Sequence, residues 1–289
     1  MWNLDGGKPG WQTDQKGPLA DESDSGANQP GSILALDFSL LPDVSRLHPE
    51  LAHPGELEHA AHMLARERAI HAVFGETFPA DQVLSPDDPR LAVNWPGGCL
   101  LRFAPLKSRT GWRYVSHGLS QPEERGAAER FELNPDAHSG LGVEFIISVP
   151  ADATWAPRAL LQIVKYVLFQ DGAGVAAEWG RLAIGQPIGG VGRLDHLLVV
   201  RSPDYETDLI LPGGHCRLLH LVGTTALEME WARKEPSGLG SQVLAEILRQ
   251  VGIGCLTIVE RACITSRLDF VSEWERARRT VMVRQNAGL

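Results

Sequence analysis

The sequence has little cysteine and no cysteine pattern. Its four cysteines, Cys99, Cys216, Cys255 and Cys263, form no C-x-x-C and sit beside apolar residues. They read as reduced core thiols, which excludes a disulfide scaffold and a zinc ribbon. Long apolar runs are absent too. No stretch approaches the ~18 residues that a membrane helix requires, and Met1-Trp-Asn-Leu-Asp-Gly-Gly-Lys lacks the apolar centre of a signal peptide. These absences point to a soluble, cytoplasmic chain. Basic residues are in deficit: formal net charge is −9. An acidic chain gains nothing from phosphate neutralisation, so neither nucleic acid nor a membrane is expected as partner. Its field favours a basic protein.

Catalytic signatures are equally scarce. There is no G-x-S-x-G elbow, and no cysteine-protease signature surrounds any thiol. Gly189-Gly-Val-Gly192 lacks the Lys-Ser/Thr of a phosphate loop and the third glycine of a dinucleotide fingerprint. It reads as a turn. Gly238-Leu-Gly240-Ser241 precedes a helix and reads equally well as an anion site at its N-terminus or as a simple N-cap by Ser241. Glu58, His59 and His62 share a helix without forming H-E-x-x-H, and His215, Cys216 and His220 alternate along a strand so that His215 faces away from the other two. Neither set closes a ligand sphere, so no metal and no cofactor are expected. Glu144, Glu228 and Glu230 are scattered carboxylates.

With 43% apolar residues in 289, the chain can build a sizeable core. Residues 1–31 are rich in Gly, Asp, Ser, Gln and Pro and read as a flexible tail. Residues 32–270 read as one domain, and 271–289 as a basic helical tail. Ser32–Pro42 is a short apolar segment. A helix is expected from Pro54 to about Phe74, and Phe78–Trp95 as an irregular Pro- and Asp-rich connection. Cys99–Phe103, Trp112–Ser116 and Gly142–Val149 are strand candidates, with a surface loop over Gln121–Gly140. Pro157–Phe169 carries apolar residues at three- and four-residue spacing and reads as a helix. Leu194–Val200 and Cys216–Val222 read as strands joined through Pro212-Gly213-Gly214. Helices are expected over Thr225–Lys234 and Ser241–Gln250, with a last short strand at Leu256–Val259. Helices mixed with strands, without regular crossovers, indicate an α+β fold: a mixed, largely antiparallel sheet with helices packed on it.

Five blocks stand in one order: Trp112-Arg-Tyr-Val-Ser-His-Gly-Leu-Ser120, Gly142-Val-Glu-Phe-Ile-Ile-Ser-Val149, Ala159-Leu-Leu-Gln-Ile-Val-Lys-Tyr-Val-Leu168, Leu194-Asp-His-Leu-Leu-Val-Val200, and Pro212-Gly-Gly-His-Cys-Arg-Leu-Leu-His-Leu-Val-Gly-Thr224. In order and spacing they resemble the Suppressor of fused domain family. The resemblance covers the amino-terminal lobe and implies the single-domain bacterial form. It implies an α+β fold and a non-catalytic protein-binding role. Bacterial members resemble immunity proteins that occlude a toxin domain, here a basic one. The resemblance places partner contacts at Tyr166 and in the following loop, at Asp171, Glu178 and Trp179. Two other readings remain: a hydrolase or small-molecule-binding enzyme with a cleft near His215, His220 and Glu144, and a scaffold domain without a dedicated ligand.

Overall fold

The computed structural model describes residues 64, 66–74, 81–84, 89–95, 97–106, 109–120, 138–169, 177–201, 208–211, 213–236 and 238–287. The expected tail, Ser32–Pro42, the start of the first helix with Glu58, His59 and His62, most of the 121–140 loop, and Asp171 lie outside them.

Eight strands form one sheet: β1 (Asp81–Leu84), β2 (Cys99–Phe103), β3 (Trp112–His117), β4 (His138–Val149), β5 (Arg181–Ala183), β6 (His196–Arg201), β7 (Leu209–Leu211) and β8 (Gly214–Thr224). Their order is β1-β2-β3-β4-β8-β6-β5, with β7 also paired to β8. All pairings are antiparallel except the central one, β4 with β8, where Val143 meets Arg217 and Ile146 meets His220. The sheet is therefore mixed and largely antiparallel, with helices on it, as the sequence implies. β6 and β7 lie end to end against β8: Arg201 pairs with Leu219 and Leu209 with Cys216.

Side chains alternate across the sheet, and each face has its own core. On one face Tyr114, Phe145, Ile147, Leu197, Val199, Leu219 and Leu221 pack under helix Trp155–Phe169, which contributes Leu160, Ile163, Val164 and Val167. Two groups of helices cover the other face. Residues 66–74 are helical and bring Ile70 and Phe74 against Leu101, Phe103, Val115, Ile146 and Leu218. Helices Ala226–Arg233, Leu239–Gln250 and Phe270–Asn286 cover Leu198, Val200 and Val222.

Several expectations need correction. The Pro- and Asp-rich stretch 78–95 holds β1 and a helix, Pro89–Asn94; Pro89 opens that helix, where a missing N–H costs nothing. β4 begins at His138, inside the expected loop. Gly238, with φ 74°, is the N-cap of Leu239–Gln250, and Ser241 lies buried within the helix. Leu256 makes only an isolated parallel bridge to Ser148, not a strand. The expected domain edge at 270 falls on the first turn of a helix that buries Phe270, Trp274, Ala277 and Val281. The core therefore runs through that helix.

Candidate binding cleft

Buried polar groups in this fold sort by whether protein atoms satisfy them. Glu144 on β4 is 0% exposed. One carboxylate oxygen accepts from the Ser120 hydroxyl at 2.7 Å and from the amides of Gly118 and Ser120 at 2.9 Å each. The other accepts from the Ser116 hydroxyl at 2.6 Å, whose oxygen in turn accepts from the Phe145 amide at 2.8 Å. The block Ser116-His-Gly-Leu-Ser120 is therefore a cradle for the glutamate of Gly142-Val-Glu-Phe. Gly118 permits it: its φ is +127°, and an added Cβ would stand 2.6 Å from the Trp95 indole nitrogen. Burial pushes the Glu144 pKa upward, while Arg66 and the hydroxyl and amide donors favour the carboxylate.

His117 turns from the same loop toward Arg66. The Arg66 Nε donates to His117 Nε2 at 3.3 Å, and Cys99 Sγ lies 3.7 Å from Nδ1. Accepting at Nε2 requires a neutral ring protonated at Nδ1. Burial, then Arg66 and His71, push the His117 pKa down to about 3. Cys99 is pushed up to about 11, first by burial, which makes it an inert thiol.

A second sealed centre holds the turn after β8. Thr225 caps helix Ala226–Arg233 and forms a capping box with Glu228. Both Glu228 oxygens accept from Arg261 at 2.6 Å, and the Ile264 amide donates to one at 2.8 Å. This buried bidentate pair ties β8 to the 261–266 segment. Glu144 and Glu228 are thus structural carboxylates.

Elsewhere on the same face polar groups meet open space. Between Arg109–Thr110 on one side and helices Leu239–Gln250 and Phe270–Asn286 on the other lies a cleft of about 620 Å³. Its floor includes Arg113 paired in register with Ser148, and His220 paired with Val200. These three polar side chains are 4%, 3% and 2% exposed. The Ser148 Oγ has no hydrogen-bond partner among the described residues. Burial, and then Arg113, push the His220 pKa down to about 3, so the ring is neutral at physiological pH. Leu198, Val222, Leu248 and Leu256 supply apolar lining. Arg249 and Arg284 hold Glu246 at 2.6 and 3.1 Å, keeping its pKa down to about 2, chiefly through Arg249.

Glu178 and Trp179 line this cleft, both half-buried. Trp179 has φ 68°, the left-handed region that a bulky residue avoids. Its amide donates to the Val199 carbonyl at 2.8 Å, and the Val199 amide donates back to Gly180 at 2.8 Å. The turn is locked to β6 at a cost of about 1–3 kcal/mol in backbone strain. Burial raises the Glu178 pKa against the pull of Arg201 and Arg217.

The structure divides the expected residues. Glu178 and Trp179 come together on the cleft. Tyr166 belongs to the opposite core and is 9% exposed. The constellation His215–His220–Glu144 does not form: Glu144 is sealed in its cradle, and His215, near Asp208 at 3.9 Å, falls on the other face by strand alternation. His220 alone lines the cleft. No hydrogen bond joins Ser148 to His220, so nucleophile and base do not meet there. Sequence reasoning missed Arg113, Ser148, Glu246 and Arg284 as neighbours. A charged residue inside the buried strand Trp112-Arg-Tyr-Val was the signal available.

Comparison with known proteins adds the family. The model of the Suppressor of fused protein (SUFU) matches residues 99–262, more than half of the chain. The chain belongs to the Suppressor of fused family. That family is regulatory and protein-binding rather than enzymatic. No curated protein matches the chain significantly. Among solved structures, a chain of the Sufu–Fu complex is 21% identical, with TM-score 0.56 over 75% of this chain and 95% of that one. Drosophila Suppressor of Fused is 19% identical, with TM-score 0.55 over 74% of this chain; the match spans 54% of the fly chain. A putative SUFU homolog from Neisseria gonorrhoeae is 16% identical, with TM-score 0.50 over 72% of this chain and 97% of that one. At these identities the likeness is one of fold. The family match includes both sealed carboxylates, and helix Phe270–Asn286, which walls the cleft, lies beyond it.

Proposed function

We propose that this Suppressor of fused domain binds a protein partner without catalysis, with the cleft and its Glu178–Trp179 lip as the contact face. The observation that carries this reading is Trp179: a large aromatic held half-buried in a strained left-handed conformation beside a cleft. Strain in a residue that could relax by substitution is a mark of function, and aromatic anchors dominate binding energy. Asp171 precedes the lip in the chain, and Tyr166 lies in the core of the opposite face. In its sharper form the proposal is an immunity-type protein of the bacterial cytoplasm that occludes a toxin domain. The net charge of −9 steers a basic domain from a distance.

The test places a photo-crosslinking residue at position 179 and, as control, at exposed Val93, in the native host. A partner crosslinked at 179 and absent at 93 is expected. Trp179→Ala should then speed dissociation of that partner on the order of thirtyfold or more, with an unchanged circular dichroism spectrum. Equal crosslinking at both positions, or unchanged kinetics in the folded variant, refutes the proposal.

A further inference from the structure

The charged groups around the cleft already hold partners inside the protein. Arg249 and Arg284 both close on Glu246, at 2.6 and 3.1 Å. Arg201 pairs with Asp208, and Arg109 donates to the Val73 carbonyl. Arg113, 4% exposed, is engaged within the fold as well. Glu178 lies in the field of Arg201 and Arg217. What the cleft offers a ligand is therefore neutral. Leu198, Val200, Val222, Leu248 and Leu256 line it together with Trp179. Among them stands the Ser148 hydroxyl, 3% exposed and without a hydrogen-bond partner among the described residues. Strand alternation puts it on the same sheet face as Ile146, the face on which the cleft opens.

A buried hydroxyl without a partner costs free energy until a group arrives to donate to it or accept from it. A charged group is the wrong one here. To enter, it would break an existing ion pair or stay buried without a counter-charge, and either is costly. A backbone amide fits. It is uncharged, its N–H and C=O both need partners once out of water, and a serine hydroxyl can serve either. The apolar lining rewards aliphatic or aromatic side chains beside that amide. A cleft of about 620 Å³ is more than one side chain fills. A short stretch of chain brings apolar side chains and an amide together in one ligand.

We infer that the cleft takes an uncharged apolar segment of the protein partner, seated by a hydrogen bond between its main chain and the Ser148 hydroxyl. This deepens the proposed protein-binding role and rests on it. The acidic field of the whole chain selects by charge at a distance; the cleft selects against charge on contact.

The probe is the pentapeptide Leu-Leu-Gln-Phe-Leu, blocked by acetyl and amide ends and carrying a neutral fluorophore. Two controls place Glu or Lys at its centre. The full chain should bind the neutral peptide on the order of tenfold or more tightly than either control, with little change up to about 0.5 M salt. Ser148→Ala breaks no hydrogen bond of the hydroxyl within the described protein. It should keep the fold and weaken the neutral peptide about three- to tenfold. Ala245→Leu, on the cleft wall, should abolish binding by filling the space; should it fail to fold, Ser148→Ala decides alone. Equal or tighter binding of a charged peptide, or unchanged affinity in folded Ser148→Ala, overturns the inference. Decanamide that binds with the same Ser148 dependence where the peptide does not also overturns it, in favour of a free small molecule. Failure of the peptide while a partner still crosslinks at 179 rejects the neutral segment alone. Peptide binding without a crosslinked partner upholds the chemistry of the cleft and rejects the protein-binding role.

Discussion

Glu144 and Ser148 stand on one strand with Ile146 midway between them, yet they occupy opposite kinds of environment. Glu144 is held by two hydroxyls and two amides, and nothing further can reach it. Ser148 is nearly as buried and has no partner among the described residues. Burial alone therefore does not separate structural from functional polarity here; satisfaction does. Where helix and loop close over the sheet, each polar group is a fastener. Where the two helix groups part, the same kind of group lines an opening.

Breaking a fastener should produce the largest effect. Arg261→Met strands a buried Glu228 carboxylate, and loss of one partner of a buried pair costs about 3–5 kcal/mol. Urea denaturation followed by circular dichroism should show that loss as a lower midpoint with an unchanged slope. A loss below about 1 kcal/mol would mean that water reaches Glu228 and the centre is not sealed.

Acid acts on both regions at once. His117 and His220 have pKa values pushed down to about 3, whereas an unfolded histidine titrates near 6.5. Below that value the unfolded chain binds protons that the native fold refuses, so stability falls with pH. The loss begins near pH 6.5, deepens toward pH 3, and amounts to about 1.4 kcal/mol per pH unit for each ring. Chemical denaturation at pH 7.5 and 5.5 measures it, and His220→Asn should remove its own share of the slope. Glu246, held down to about 2 by Arg249 and its neighbours, adds a loss that begins as pH falls through the ordinary carboxylate range and runs on to about pH 2.

The smallest effect is the sharpest discriminator. Ser116→Ala removes a donor from Glu144 and an acceptor from the Phe145 amide, at about 1.5–3 kcal/mol. Ser148→Ala breaks no hydrogen bond and should stay within about 0.5 kcal/mol of wild type. Equal losses from the two substitutions would erase the distinction between sealed and open polarity.

Much of the fold was legible because it is written in local period. The apolar spacing of 157–169 and 241–250 marks helices, and the β-branched blocks at 112–116, 142–149 and 216–222 mark strands. What escaped depends on distant partners. β1 forms from a Pro-rich stretch because β2 offers its edge, and β4 reaches back to His138 because β8 lies beside it. Ser241 looked like a cap, but Gly238 reaches the left-handed conformation that begins the helix a turn earlier. Of the residues that line the candidate cleft, the sequence reading singled out Glu178, Trp179 and His220. Arg113, Ser148, Glu246 and Arg284 are far apart in the chain; strand register sets Arg113 beside Ser148, and helix packing sets Arg284 beside Glu246. Glu144 misled for a physical reason: a carboxylate in an apolar strand looks the same in sequence whether its oxygens are claimed or free.

The central parallel pairing carries a kinetic consequence. Val143 meets Arg217, although helix 155–169 and strands β5 to β7 lie between the two strands in sequence. Ladders between sequence neighbours, such as β2 with β3, can close over short loops, whereas β4 with β8 must first meet the entropy of a long one. The seam that positions His220 beside Ile146 is therefore expected to close later than β2 with β3, and pulsed hydrogen exchange on the two ladders measures it. A chain paused before that step has its hairpins but no cleft, and its exposed β4 and β8 edges are what a chaperone would have to shield.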